Sequence, residues 1–368
     1  MPQLLNKVLF YDNQSTGHHR EYIEHLIKYN NFKIITFFCI HLDLIYEFKS
    51  NEYINIIEIP SSISNNSEKE FNWINSLCQK YNIKQIFFLN LDLYLRKLKY
   101  WKKQNISISG IYFHPPHRIS ITQNSSILTA IMLLLKKIQK YILLKFVERY
   151  NVVNSIYILD DRVGAKYLNK KYNYSVKYLP DPIQNESSIN FIKEGQSSNE
   201  VLLFGSIIPR KNYENLIKEI MRENLTNYNY KIIGHGNQLY VSKIKTLIEA
   251  NNLPISITNQ FVNTREMENL FLNTDIVLMV YKNFFGSSGV LGHSAKFKKP
   301  VICAKKGLIE YLVKKYDLGI SISSNYKGLK NALEMCSKNT SSKYTKTFIM
   351  LKSPTYFTSI IYNSFIIA

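Results

Sequence analysis

The chain has 368 residues, 45% apolar and 20% charged, which excludes a disordered polypeptide and exceeds one comfortable core, so two domains of roughly 150–200 residues are expected. Lys and Arg number 47 against 27 Asp and Glu, a formal net charge of +20, and a field of that sign draws phosphorylated ligands, anionic membrane or nucleic acid. The lysines are scattered without a dense basic run and no RNA-module pattern of basic, glycine and aromatic residues occurs, so nucleic acid is not an expected partner.

The first segment, KVLFYD (7–12), reads as a buried strand and meets Asp12 too early for a signal peptide. In NQSTGHHREYIEHLIKY, Ser15 or Thr16 can cap a helix whose apolar face includes Tyr22, Ile23, Leu26 and Ile27. FKIITFFCI (32–40) and YINIIEIP (53–60) are further strands, a helix covers about 68–81, and IKQIFFLNLD (83–92) and SISGIYFHPPH (107–117) add two more strands. SILTAIMLLLKKIQKYILLKFVERY (126–150) has helical spacing, with Lys136, Lys137 and Lys140 on one side and Lys145 roughly opposite. It reads either as a helix docked on an anionic membrane surface or as a buried core helix with snorkelling lysines. SIYILDD (155–161), a short helix and VKYLPDPI (176–183) complete this half.

The polar stretch 184–200 reads as a linker between domain 1–183 and a second domain, 201–345. There the alternation restarts with VLLFGS (201–206), a helix over 212–224 and YKIIG (230–234). YVSKIKTLIEANN is a helix, ISITNQF a strand, NTREMENLFLN a helix with Asn263 and Glu266 as a capping box, and DIVLMVY a strand. PVICAKK is expected to close the sheet, and residues 346–368, with Tyr356, Phe357, Ile360, Ile361 and Phe365 at helical spacing, form a terminal helix packing back on the first domain. Continuously apolar strands alternating with helices indicate parallel sheets covered on both faces, so the fold class is α/β, two parallel-sheet domains facing a cleft. Cys39, Cys78, Cys303 and Cys336 are far apart and suit buried reduced thiols. No apolar run reaches the roughly 18 residues of a bilayer span, so a cytoplasmic chain is expected, or one held peripherally at the inner face of the plasma membrane.

Ligands of open α/β sheets bind beyond the carboxyl ends of the strands, and polar signals of the second half fall there. In NFFGSSGVLGHSAKFKKPVI (283–302), the turn Gly286-Ser287-Ser288-Gly289 opens a helix. It offers free N–H groups to a phosphate, or is a loop needing glycine for its backbone angles. After VLLFG, Gly205 allows close approach, and Arg210 and Lys211 are adjacent cations at the wrong end of a helix dipole. Gly234, His235 and Gly236 form a third tight loop. Together these make a convergent anion site.

VLLFGSIIPRKNYENLIKEI, YKIIGHGN and NTDIVLMVYKNFFGSSGVLGHSAKFKKPVI, in this order and spacing, resemble the donor-binding domain of GT-B-fold glycosyltransferases, nearest family 4 (group 1). The resemblance is specific over about residues 200–320 and topological across the first half. It implies two Rossmann-like domains and transfer of a sugar from a nucleoside-diphosphate sugar, a donor substrate rather than a cofactor. Arg210 and Lys211 would hold the diphosphate and stabilise the leaving group, with Gly205, Ser206, Gly234, Gly286, Ser287, Ser288, Gly289 and His293 around the donor. The family's usual glutamate pair falls on Phe285 and His293, and His293 can still bond a ribose diol. No DxD sequence occurs, so no metal is suggested, and the family implies retention of anomeric configuration.

In the first half, Gly17, His18 and His19 stand at a helix start, and Pro115 and Pro116 fix a rigid turn between His114 and His117. Histidines there suit sugar hydrogen bonding or proton transfer. His114, closest to its strand end, is the catalytic candidate; Gly17, His18, His19 and His117 are candidates for the acceptor, and Asp161 can cap the helix after it. The resulting expectation is a bacterial-type, peripheral glycosyltransferase acting on a glycan or lipid-linked glycan in surface polysaccharide synthesis. A nucleotide-sugar epimerase and a non-catalytic scaffold are the rivals.

Overall fold

The computed structural model describes residues 6–15, 18–30, 34–63, 66–102, 104–119, 127–183, 199–338 and 345–366. Gly17 and most of the expected linker, 184–198, lie outside the described residues. The chain divides into two compact units, one of residues 1–117, 131–182 and 353–368, the other of 118–130 and 183–352.

In the first unit the strands are β1 (Lys7–Asp12), β2 (Ile35–Ile40), β3 (Ile54–Glu58), β4 (Gln85–Phe88), β5 (Ser107–Ile111), β6 (Val153–Leu159) and β7 (Ser175–Leu179). They form one parallel sheet in the order β3-β2-β1-β4-β5-β6-β7. The continuous apolar runs arise because both faces are covered: Leu9 and Tyr11 enter one core, Val8 and Phe10 the other. Helices α1 (His18–Lys28), α2 (Ser67–Tyr81), α3 (Ile127–Tyr150) and α4 (Arg162–Asn169) belong to this half of the sequence. In the core, the Tyr11 and Tyr94 hydroxyls donate to Glu70 Oε1 at 2.8 and 2.7 Å, and Lys97 donates to Oε2 at 2.9 Å, so this buried carboxylate is fully engaged.

The long helix differs from one of its two readings. Only Leu144 and Val147 of α3 are buried, while Ile131, Leu135, Ile138 and Ile142 are exposed, so it is not a buried core helix. Lys140, on the side shared with Lys136 and Lys137, turns inward and donates to the carbonyl of His114 at 2.7 Å.

The second unit contains β8 (Glu200–Phe204), β9 (Asn229–Gly234), β10 (Ile255–Asn259), β11 (Ile276–Met279), β12 (Val301–Ala304) and β13 (Gly319–Ile322). These are parallel, in the order β10-β9-β8-β11-β12-β13. The sheet therefore ends on β13 and not on the PVICAKK strand; GISI is short, half-exposed and led by glycine, so it carries no apolar-run signal. Helices α5 (Tyr213–Glu223), α6 (Gln238–Ala250), α7 (Thr264–Leu272), α8 (Gly289–Lys296), α9 (Leu308–Lys315), α10 (Leu329–Lys338) and α11 (Thr345–Met350) complete this unit. The Asn263–Glu266 capping box is formed in both directions, at 2.9 and 3.0 Å. All four cysteines are buried and unpaired.

The last helix, α12 (Pro354–Ile366), belongs to the first unit, whereas α11 stays with the second. Tyr362 donates to the Leu26 carbonyl at 3.0 Å, Asn6 donates to that of Phe365 at 2.8 Å, and Tyr362 and Phe365 pack their edges on the Phe10 ring. Tyr362→Ala removes a fully buried ring and is expected to destabilise the chain by about 3–5 kcal/mol. Urea unfolding measures this, and a loss below about 1 kcal/mol would mean that α12 is not part of the first core.

Candidate functional site

In the second unit the strand order reverses between β8 and β11, the place where open parallel sheets bind ligands. The loop after β8 turns at Gly205, with φ +99°, a backbone angle that suits glycine. The loop after β9 lies directly on it. A Cβ at Gly234 would stand 2.2 Å from the Gly205 carbonyl oxygen, and one at Gly236 2.3 Å from that of Ile207. Gly234 thus permits two loops to touch, a packing duty the sequence reading assigned to ligand contact. His235, in the same loop, stacks on Phe261 at 4.4 Å.

Pro209–Lys211 form a 3-10 turn closed by Asn212 at φ +70°. Asn212 is fully buried, and its amide donates to the carbonyls of Val280 and Ser324 at 3.2 and 2.7 Å. Successive side chains of such a turn diverge by about 120°, so Arg210 and Lys211 do not project as a parallel pair. Lys211 is only 9% exposed, and its ammonium donates to the Phe204 carbonyl at 2.9 Å and the Tyr281 hydroxyl at 2.8 Å. Burial, then the neighbouring Arg210 charge, pushes its pKa down to about 7. A Cβ at Gly205 would stand 3.5 Å from the Lys211 nitrogen, so that nitrogen lies against the Gly205 turn. Arg210 is exposed and lies over the Phe284 ring at 4.6 Å.

The two cations meet around the loop after β11. Tyr281 bonds Lys211, Phe284 lies against Tyr281 at 5.5 Å, and Ser288 sits beside the Tyr281 hydroxyl. Ser288 is the N-cap of α8 but makes no side-chain cap bond, so the first turn offers its positive end at the switch point. Among the described residues the glycines with left-handed φ are Gly205, Gly234, Gly307, Gly319 and Gly328; in this loop the left-handed position is Asn283, at +49°. Gly286 and Gly289 are therefore not there for a left-handed turn. Ser206 is exposed, Gly286 to Gly289 are half-buried, and His293 lies farther along α8 with its ring 5.6 Å from Phe271. Phe285 is half-buried, its Cα 3.8 Å from where a Cβ of Gly307 would stand.

In the first unit, β1 and β4 flank the corresponding strand-order reversal, and two histidine–carboxylate pairs gather there. His19 Nδ1 is 2.6 Å from Asp12 Oδ2 at the end of β1. Burial pushes the Asp12 carboxyl up, against the opposing effect of that bond. His114 Nδ1 is 3.1 Å from Asp92 Oδ1, whose other oxygen accepts from the Phe113 backbone at 2.7 Å. The Phe113 ring is 6.2 Å from that of His19, so one aromatic residue links the pairs. His18 is exposed and stacks on Tyr22. His117 stands apart: its side chain is 9% exposed, its Nε2 is 2.6 Å from Asp161, and a Cβ at Gly164 would stand 1.9 Å from Nε2. It braces the start of α4, where Asp161 accepts from the Gly164 N–H at 2.8 Å, and is packed too tightly for an acceptor contact. Sequence reasoning passed over Asp12, Asp92 and Tyr281. A polar residue just past each strand was the available signal for the two aspartates; Tyr281 reads as the end of an apolar run.

Residues 184–347 match the family described as Glycosyl transferases group 1. No curated protein sequence matches the chain. Among solved structures, a glycosyltransferase from Rickettsia africae ESF-5 is 13% identical with TM-score 0.68, covering 98% of each chain. Sucrose-phosphate synthase from Thermosynechococcus elongatus is 12% identical with TM-score 0.68, covering 99% of each. Anabaena HepE, in complex with UDP and glucose, is 11% identical with TM-score 0.66 over 99% of this chain and 100% of its own. At these identities the likeness shows the fold.

Proposed function

We propose that the chain, whose residues 184–347 match the group 1 glycosyl transferases and whose fold is that of solved GT-B glycosyltransferases, is a glycosyltransferase that takes a sugar from a nucleoside-diphosphate sugar bound at the β8–β11 switch point. The acceptor is a hydroxyl of a glycan or lipid-linked glycan, in the making of a surface polysaccharide at the inner face of a plasma membrane. The observation that carries this reading is the meeting of Lys211, Arg210 and the uncapped start of α8 around Tyr281. Two cations and a helix start are suited to a diphosphate.

In this reading the bond from the anomeric carbon to the diphosphate oxygen breaks, and the acceptor oxygen bonds the same carbon on the same face. The acceptor proton passes to the departing diphosphate, whose growing charge Lys211, Arg210 and the first N–H groups of α8 stabilise. His293 contacts the ribose, with Ser206 and the Gly286–Gly289 backbone around the phosphates or sugar. In the first unit His114 and His19, each steered by a carboxylate, orient the acceptor hydroxyl. No metal and no cofactor is assigned a part. HepE holds UDP and glucose, which makes UDP-sugars the first donors to try.

A thermal-shift panel of UDP, GDP and CDP with their sugar conjugates tests the donor site. One nucleotide family at about 100 times its Kd is expected to raise Tm by roughly 5–10 °C. Arg210→Ala is expected to lose most of that shift without lowering the unliganded Tm. Equal stabilisation of wild type and variant would remove Arg210 from the phosphate site, and no shift with any nucleotide would contradict the proposal.

A further inference from the structure

We propose that the outward face of α3 docks on an anionic membrane surface. Ile131, Leu135, Ile138 and Ile142 recur at steps of four, three and four, and Lys145 and Arg149 continue the series at three and four, so all six lie on one helix face. All six are exposed, and exposed Met132 and Leu134 widen the stripe. The opposite side is committed inward through buried Leu144 and Val147 and through Lys140, bonded to His114. From Ile131 to Arg149 the face runs roughly 27 Å, at about 1.5 Å per residue. That is far more contiguous apolar surface than scattered exposed residues provide.

The charge selects the occupant. The chain carries +20, so a second copy brought face to face would meet like charge, whereas a bilayer of anionic lipid is attracted. Cations stand where an interfacial helix needs them: exposed Arg149 ends the stripe beside Lys145, whose ammonium also bonds Glu148 at 2.7 Å, and Lys171 lies at its margin, 3.9 Å over the Tyr141 ring. Among the described residues no helix is long and apolar enough to cross a membrane, so α3 lies on the surface with its apolar side chains in the headgroup region. The proposal deepens the reading of a lipid-linked acceptor and rests on it only for the purpose of docking; the surface itself stands on α3.

Flotation of the full chain with vesicles of phosphatidylcholine alone, or mixed with phosphatidylglycerol, tests it without donor or acceptor. The chain is expected to float with the mixed vesicles and at least about tenfold less with neutral ones. Leu135→Gln combined with Ile142→Gln should cut binding to mixed vesicles about tenfold or more, while leaving Tm and its shift by UDP-sugar unchanged. Ile131→Gln with Ile138→Gln, a second pair on the same face, should do the same. Wild-type binding in both variants, or no flotation with either vesicle, would overturn the proposal. So would a solution dimer that both pairs dissociate, which would make a second copy the occupant. Failed docking with intact nucleotide stabilisation would leave the donor-site reading standing.

Discussion

Lys211→Met is expected to lower kcat/KM about a thousandfold, the scale of losing a preorganised charge at a leaving group, while removing much of the chain's gain in stability with pH. The second effect follows from linkage. Lys211 has a folded pKa of about 7 against the ordinary 10.5, so between these values the unfolded chain binds more protons than the folded one. Wild-type stability therefore rises with pH through that window: the penalty of burying the cation is full below about pH 7 and gone above the ordinary lysine pKa. The gap corresponds to roughly 5 kcal/mol of pH-dependent stability, all of it absent from the methionine variant. Urea unfolding of both proteins at several pH values between these limits measures it. Parallel curves would mean that Lys211 is not buried as a near-neutral amine. Unchanged turnover would remove it from the reaction.

Gly234→Ala is expected to destabilise the chain by roughly 3 kcal/mol and to abolish nucleotide binding. Its Cβ would stand 2.2 Å from the carbonyl oxygen of Gly205 and 2.6 Å from the carbonyl carbon, both backbone atoms with no rotamer to escape into. Separating the two loops shifts Gly205, and Gly205 lies over the Lys211 nitrogen. Gly328 supplies the control: its φ is +93°, yet a Cβ there meets nothing within 4 Å, so Gly328→Ala should cost only about 1 kcal/mol of backbone strain. Equal losses at the two positions would show that loop contact at Gly234 carries no special weight.

The strands of both sheets were legible because a parallel sheet covered on two faces demands an unbroken apolar run, as in VLLF and IVLM. β13 was not, since an edge strand as short as GISI needs no such run. The capping box at Asn263 was legible because both partners lie within four residues. The pairing of His114 with Asp92 was not, since 22 residues separate them and only the adjacency of β4 and β5 brings them together. Spacing gave α3 as a helix but could not tell which of its apolar residues the sheet would cover. Arg210 and Lys211 were legible as cations at a strand end; that one turns in to Tyr281 and the other out over Phe284 depends on the 3-10 turn and on buried Asn212.

Calorimetry of UDP-glucose binding near pH 8, in two buffers of different ionisation enthalpy, reports whether a donor diphosphate sits on Lys211. UDP-glucose does not titrate there, whereas a lysine with pKa about 7 is mostly neutral and regains its proton beside a diphosphate. The predicted result is an uptake of nearly one proton per nucleotide in the wild type and none in residual binding to Lys211→Met. Binding with intact affinity whose heat is the same in both buffers would contradict it, because the diphosphate would then lie away from Lys211.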